Sequence, residues 1–147
     1  MRSVNFALNK IYFSLLTGIQ YNGEDVPVYD RQAPDDITVA NYIVFVHVDN
    51  GDNPGQYKAS TSTSMQLTIH THSTKYNPSQ VADEIADQVF ERIYPNKQDT
   101  PDMSADGFQL VHTRLTGDRT TPYNIQNTRN YLDRVLVFTH QIFHVDN

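Results

Sequence analysis

A run of β-branched and aromatic residues, YIVFVHV, occupies Tyr42 to Val48. Such side chains fit the pleated surface of a sheet, so the run predicts a strand in a sheet interior. A second strand is predicted from Ser64 to His72, where Met65, Leu67 and Ile69 alternate with polar residues. The alternation indicates that one face of this strand meets a core and the other meets solvent. Any fold for this chain must therefore contain a sheet built on these two strands.

An amphipathic helix is predicted over residues 3–16, with Ser3 as N-cap and Thr17-Gly18 as the exit. Its apolar positions recur at helical spacing and form an unusually wide stripe. The stripe consists of Val4, Leu8, Ile11 and Leu15, widened by Phe6, Tyr12, Phe13 and Leu16. Two interpretations remain open: burial within one domain, or coverage by the sheet on one side and a neighbouring subunit on the other.

A second helix is predicted to start at Asn77-Pro78-Ser79-Gln80, which combines an N-cap, a first-turn proline and a glutamine that reaches back to the cap. Its apolar residues Val81, Ile85, Val89 and Ile93 lie at four-residue spacing, and Pro95 ends it.

Three further extended segments are predicted. Val26 to Tyr29 contains Pro27 and suits only an edge or a strand start, while Phe108 to Leu115 and Tyr131 to Val145 read as full strands. Helices that do not alternate regularly with strands favour an α+β fold. We expect one domain spanning residues 1–147, with a mixed or mostly antiparallel sheet of about four to five strands and both helices packed on it.

Two long polar segments are predicted to be loops, Asp49 to Thr63 and Thr116 to Asn130. Loops of this length without secondary structure are usually contact segments or mobile surface, and both interpretations remain open. Their charged and aromatic residues are candidate assembly contacts. The candidates are Asp49, Asp52, Tyr57, Lys58, Arg119, Tyr123 and Arg129.

Composition excludes several classes of function. The absence of cysteine removes thiol nucleophiles, thiolate metal sites and disulfides. A net charge of −6 with only 11 scattered Lys and Arg argues against a protein that binds duplexes by neutralising phosphates. No stretch approaches the length of an apolar membrane span, and the N-terminal residues lack the smooth apolar run of a signal peptide.

The sharpest enzyme hypothesis is a histidine-ligated metal site. All six histidines fall within predicted strands: His47, His70, His72, His112, His140 and His144. His70 and His72 share one strand face about 7 Å apart and need a third ligand, for which His47 or His112 is the candidate. No carboxylate stands at motif spacing near them, and solvent-face histidines are common, so we expect no catalytic, cofactor-binding or metal-binding residue.

Four stretches of the chain resemble the tail-completion or tail-terminator proteins of long-tailed bacteriophages. They are the helix end Leu16-Thr17-Gly18-Ile19, the segment from Val26-Pro27-Val28-Tyr29 through Pro34 to Asn41-Tyr42-Ile43-Val44-Phe45, the strand 66–71 before the helix residues 82–86, and the closing segment 129–143. Asn41 stands where the family often has proline.

The resemblance implies a structural virion protein without enzymatic activity, located at the junction of tail and neck. It implies a homo-oligomeric ring of six that caps the tail tube, binds the tail tube protein on one face and a head-proximal connector or stopper on the other, and lets the genome DNA pass through its lumen. The alternatives are a head-side connector or minor capsid protein, and the histidine-ligated metalloenzyme.

Overall fold

The computed structural model describes residues 4–37, 39–52, 60–73, 78–93, 108–125 and 129–144. Two helices and seven strands occur within these ranges. They are α1 (Val4–Leu16), β1 (Gln20–Tyr21), β2 (Glu24–Asp25), β3 (Val28–Asp30), β4 (Asn41–Asp52), β5 (Ser60–Ser73), α2 (Pro78–Ile93), β6 (Phe108–Ile125) and β7 (Arg129–His144).

Five strands form one mixed sheet in the order β3-β4-β5-β7-β6. β3 pairs with β4 in parallel, and every other neighbouring pair in this sheet is antiparallel. β1 and β2 form a separate two-stranded antiparallel ribbon that leads into β3. The α+β class expected from the sequence is therefore confirmed.

Both helices pack on the same face of the main sheet. The Tyr12 ring of α1 lies 6.0 Å from the Phe45 ring of β4, and the Phe90 ring of α2 lies 6.2 Å from the Phe138 ring of β7. The α2 residues Val81, Ile85, Val89 and Ile93 are all buried in one core cluster with the inner residues of β4, β5, β6 and β7. The four-residue spacing of these positions predicted this buried face correctly.

The stripe of α1 divides into two parts. Leu8, Tyr12 and Leu16 are almost completely buried against the sheet, whereas Phe6 and Phe13 remain 51% and 52% exposed. These two phenylalanines lie seven residues apart and so share one face of the helix. Burial within the domain therefore accounts for the inner part of the stripe and leaves the outer part at the surface.

The expected loop Asp49 to Thr63 is wrong at both ends. β4 continues to Asp52 and β5 begins at Ser60, so Asp49 to Asp52 pair with Thr61 to Ser64 after a register shift at His47/Asp49. Residues 53–59 lie outside the described part of the chain. Threonine suits strands, so polar residues extend the ladder where sequence polarity indicated a loop.

The expected loop Thr116 to Asn130 is also wrong, because β6 runs on to Ile125 and β7 already begins at Arg129. Tyr123 pairs with Tyr131 in this extended hairpin. Pro122 is tolerated because β6 is an edge strand of the described sheet, where a missing amide need not break a ladder hydrogen bond.

Candidate functional site

The face of the main sheet opposite α1 and α2 is called the open face here, because neither described helix lies on it. Alternation along the strands places Val44 and Val46 of β4, Gln66 of β5 and Val137 of β7 on this face, and all are half-buried. In an antiparallel sheet with one packed face, the other face usually carries polar side chains. A valine-rich band in the middle of this face is therefore typical of a surface that packs against another polypeptide segment or chain.

A shallow groove of about 220 Å³ lies on the open face at the second register shift of β6. It is lined by Gln66, Gly117, Asp118, Arg119, Val135 and Val137. Gly117 keeps the groove open, since a Cβ at this position would approach the Val137 Cβ to 3.3 Å. The groove has the size of a side chain rather than of a typical small-molecule pocket.

Aromatic and histidine side chains form a cluster near one end of the open face. The Tyr42 ring stacks on the His70 ring at 4.6 Å and meets the Tyr29 ring edge-on at 6.2 Å. His70 Nδ1 lies 2.8 Å from Asp133 Oδ1 on the neighbouring strand. Burial, followed by the negative charge of Asp133, raises the pKa of Tyr42, so this phenol stays neutral at physiological pH. The cluster joins four adjacent strands, β3, β4, β5 and β7, and fixes the ring of His70.

The structure separates the histidines of the metalloenzyme alternative. His47 lies on the helix-covered side, where its Nδ1 is 3.4 Å from the buried Thr63 hydroxyl, while His70 and His72 lie on the open face. His112 pairs with Gln141 and His70 with Asp133, eight positions apart on β7, which is about 26 Å along the strand. Neither expected third ligand is near the pair.

Within the ranges given above, no group of three or more His, Asp or Glu residues is placed to hold a metal ion.

His140 is a buried residue that belongs to the core. Its Nε2 contacts the Tyr12 hydroxyl of α1, and its Nδ1 lies 2.7 Å from the Thr113 hydroxyl of β6. The ring is 2% exposed, and the adjoining cavity measures only about 10 Å³. A space of this size holds one water molecule at most, so the three side chains form a structural link between helix and sheet rather than a substrate site.

Arg134 ties β7 to β6 and α2. Its Nε and Nη2 donate to the two carboxylate oxygens of Asp118 at 3.0 and 2.8 Å, and its Nη1 donates to Asp83 at 2.9 Å. The guanidinium lies 5.8 Å above the Phe90 ring. Hydrogen bonds from Arg134 lower the pKa of Asp118, and the same pair raises the pKa of Arg134. All partners are satisfied within the domain, so this group stabilises the fold.

The candidate assembly contacts do not form one site. Asp49 and Asp52 lie at the end of the sheet where β4 and β5 are joined, whereas Tyr123 and Arg129 lie at the opposite end, in the β6-β7 hairpin. Arg119 lies between these ends on β6 and is exposed. Tyr57 and Lys58 fall outside the described residues.

The candidate contact residues did not include the exposed apolar residues of the structure, although coverage of the α1 stripe by a neighbouring subunit was one of the two interpretations of the sequence. Besides Phe6 and Phe13 on α1, the larger ones are Val39, Val48, Leu115 and Phe143. The width of the α1 stripe was the sequence signal for the first two. The others lie in or next to strands, where periodicity alone does not distinguish a free face from a covered one.

Comparison of the sequence with protein-family models and with curated proteins found no match. Neither α1 nor α2, the helices that the structure describes, is long and apolar enough to cross a membrane. The described geometry defines an α+β domain with helices on one face of its sheet and surface-exposed apolar side chains on α1.

Proposed function

We propose that this chain is a structural subunit of the neck of a long-tailed bacteriophage. Copies of it form a homo-oligomeric ring, six-membered by the family resemblance, that caps the tail tube and joins the tail to the head. Its partners are further copies of itself, the tail tube protein and a head-proximal connector or stopper. No residue of it carries out catalysis in this proposal.

The observation that carries the proposal is the exposed outer stripe of α1. Two phenylalanines that are half exposed on one helix face represent apolar area that a neighbouring chain would remove from water. α1 also contacts β3, the strand at one side of the sheet. A side surface of this kind suits lateral contacts between the subunits of a ring.

The open face supplies a second contact surface in the same proposal. Its valine band and its side-chain-sized groove at Gly117 provide apolar contact area and a recess for a partner side chain. A ring with one stacking partner on each side needs several distinct surfaces on each subunit.

The acidic balance of the chain fits a DNA passage. Each copy carries a net charge of −6, so a ring multiplies a charge of the same sign as the DNA phosphates. Like charges reduce phosphate binding and counterion release, which lets DNA slide through without being retained.

The test is complementation of phage particles that lack this protein. Purified wild-type chain added to separated heads and tails should restore joined particles in electron micrographs, with gold-labelled protein at the neck. The variant Phe6→Ser/Phe13→Ser should fold but restore few particles, whereas the matched variant Ser79→Glu/Gln80→Glu on the exposed start of α2 should act like wild type.

Three outcomes would contradict the proposal. Gold label on the head, away from the tail junction, would favour the head-side connector or minor capsid protein. Full rescue by the double phenylalanine variant would remove α1 from the assembly surface. Failure of the wild-type chain to restore joining would reject the neck function itself.

A further inference from the structure

The main sheet has two outer edges within the described residues. β3 is at one edge and β6 is at the other, and no described strand pairs with the outer side of either. An unpaired edge presents backbone amides and carbonyls that can pair with another chain. The side chains next to each edge therefore decide what can approach it.

The β6 edge carries uncompensated positive charge. Arg114 and Arg119 are both exposed on this strand. The acidic residue between them, Asp118, is held by two hydrogen bonds from Arg134, so its charge is already matched within the domain. An incoming chain therefore meets two arginines along β6.

The opposite edge carries negative charge. Five exposed carboxylates lie in β3 or in the segments that lead into and out of it, together with one exposed arginine, Arg31. The carboxylates are Glu24, Asp25, Asp30, Asp35 and Asp36. The two edges of one sheet thus carry opposite charges.

Strand direction makes the two edges compatible. β3 and β4 run parallel, and each later step across the sheet to β5, β7 and β6 reverses direction. β6 therefore runs opposite to β3. If the sheet of one copy continues into the sheet of the next, the two strands meet as an antiparallel pair, the arrangement with well-aligned hydrogen bonds.

We propose that the β6 edge of one copy docks against the β3 edge of a second copy, guided by the attraction between these opposite charges. The inference rests on the proposed ring and names a second lateral contact in it, besides the outer stripe of α1. β3 has three residues, so backbone pairing is short, and the arginines and carboxylates supply the remaining selectivity. The attraction acts over about 8–10 Å at physiological salt, so it does not require individual charges to face each other.

The contact is head-to-tail, because each subunit uses two different edges. Such contacts form a ring when the rotation between copies closes and a filament when it does not. Two register shifts in β6 and Pro122 interrupt its edge, which limits uncontrolled strand addition.

The test exchanges the charges of the two edges. Variant A, Arg114→Glu/Arg119→Glu, has two acidic edges, and variant B, Asp30→Lys/Asp35→Lys/Asp36→Lys, has a basic β3 edge beside its basic β6 edge. In sedimentation experiments at low salt, each variant alone should associate about tenfold more weakly than wild type. An equal mixture of A and B should recover association, because each acidic edge then meets a basic one.

The control for net charge is Ser79→Glu/Gln80→Glu, which changes the charge of the chain as much as the single variant Arg119→Glu but leaves both edges and α1 intact. It should associate like wild type, and added salt should weaken wild type and the A and B mixture alike.

Three results would overturn the edge contact. If wild type and both variants associated equally, a ring would still be possible, but the contact between its subunits would lie elsewhere. If the control associated as weakly as variant A, net charge alone would account for the weaker association. A mixture that stays monomeric at low salt would reject the edge pairing, while the neck function would still be decided separately by complementation.

Discussion

Arg134 of β7 contacts side chains of two other elements, Asp118 of β6 and Asp83 of α2. Its guanidinium is 16% exposed and bonds Asp118 through two atoms, whereas its second partner, Asp83, is 67% exposed. A paired hydrogen bond to a sheltered charge contributes more than one to an exposed carboxylate. The contributions of these residues to the free energy of unfolding should therefore decrease in the order Arg134, Asp118, Asp83.

We expect Arg134→Ala to lower the free energy of unfolding by about 1–2 kcal/mol, since it removes both hydrogen bonds to Asp118 and the contact with Phe90. Asp118→Asn should cost less, and Asp83→Asn less than about 0.5 kcal/mol. Urea unfolding followed by circular dichroism measures all three. An Asp83→Asn cost equal to that of Arg134→Ala would show that the exposed pair dominates.

The pair also predicts a pH dependence. Arg134 lowers the pKa of Asp118 below its ordinary value of 3.8, so the stabilisation is complete above that value and is lost as pH falls through the lowered pKa. The difference in unfolding free energy between wild type and Asp118→Asn should therefore shrink as pH falls below 3.8 and stay constant at higher pH. A difference that grows on acidification would contradict the assignment.

His140 gives a second prediction at the scale of residues, because its ring lies between two hydroxyl groups in the core. Tyr12→Phe removes one partner and leaves a buried ring nitrogen without it, which should cost about 1–3 kcal/mol. In a His140→Leu background, the same change should cost clearly less, since the nitrogen is gone. Equal costs in a double-mutant cycle of urea unfolding would show that the two side chains are not coupled.

At the scale of elements, a side chain of α2 caps the C-terminal end of α1. Arg92 Nη1 donates to the carbonyl oxygens of Leu15 and Thr17 at 3.0 and 2.7 Å, and Gly18 follows with a φ of 94°. The last carbonyls of a helix have no partners within the helix, and a cation near them is favourable. α1 has no basic residue in its own last turn, so a side chain from another helix fills that place.

We expect Arg92→Ala to lower the free energy of unfolding by about 1–2 kcal/mol, with a smaller loss for Arg92→Lys, which keeps the charge but has a single donor group. Hydrogen exchange should accelerate mainly in the last turn of α1. The exposed Glu91→Ala is the neighbouring control and should have little effect. Unchanged exchange in α1 would show that Arg92 does not stabilise its end.

Sequence patterns predicted the elements better than their ends. The stripes of both helices and the cores of β4 and β5 follow periods of 3.6 and 2, which local residues carry. The extra lengths of β4, β6 and β7 contain Asn, Gly and Pro, whose local preference for turns is overridden by pairing with a neighbouring strand.

Contacts between distant positions could not be predicted in this way. The contact of Arg92 with the end of α1 is one of them, because nothing local in the sequence shows that the end of α1 lies beside this side chain. The pairing of Arg134 with Asp118 and the separation of His47 from His70 likewise follow from the strand order β4-β5-β7-β6, which periodicity does not reveal.

At the scale of the whole molecule, packing and charge are distributed unevenly. One core cluster links both helices with β4, β5, β6 and β7 on one side of the sheet, while the open face, the two edges and the outer stripe of α1 remain accessible in the described domain. Such a domain can fold alone and still present several distinct surfaces to other chains. Folding and assembly should therefore be separable by mutation.

The last prediction tests that separation through the dependence of thermal stability on concentration. Association of folded copies stabilises them by mass action, so the Tm of wild type should rise with protein concentration, by about 2–4 °C for each kcal/mol gained. Phe6→Ser/Phe13→Ser should abolish this rise while keeping a Tm close to that of dilute wild type, since both rings are half exposed in the isolated chain. Ser79→Glu/Gln80→Glu should retain the rise.

A wild-type Tm that is constant over a thousandfold range of concentration would mean that self-association needs another component, and the tail tube is the partner to add. A constant Tm in the presence of tubes would contradict the proposal that these phenylalanines form a contact between subunits.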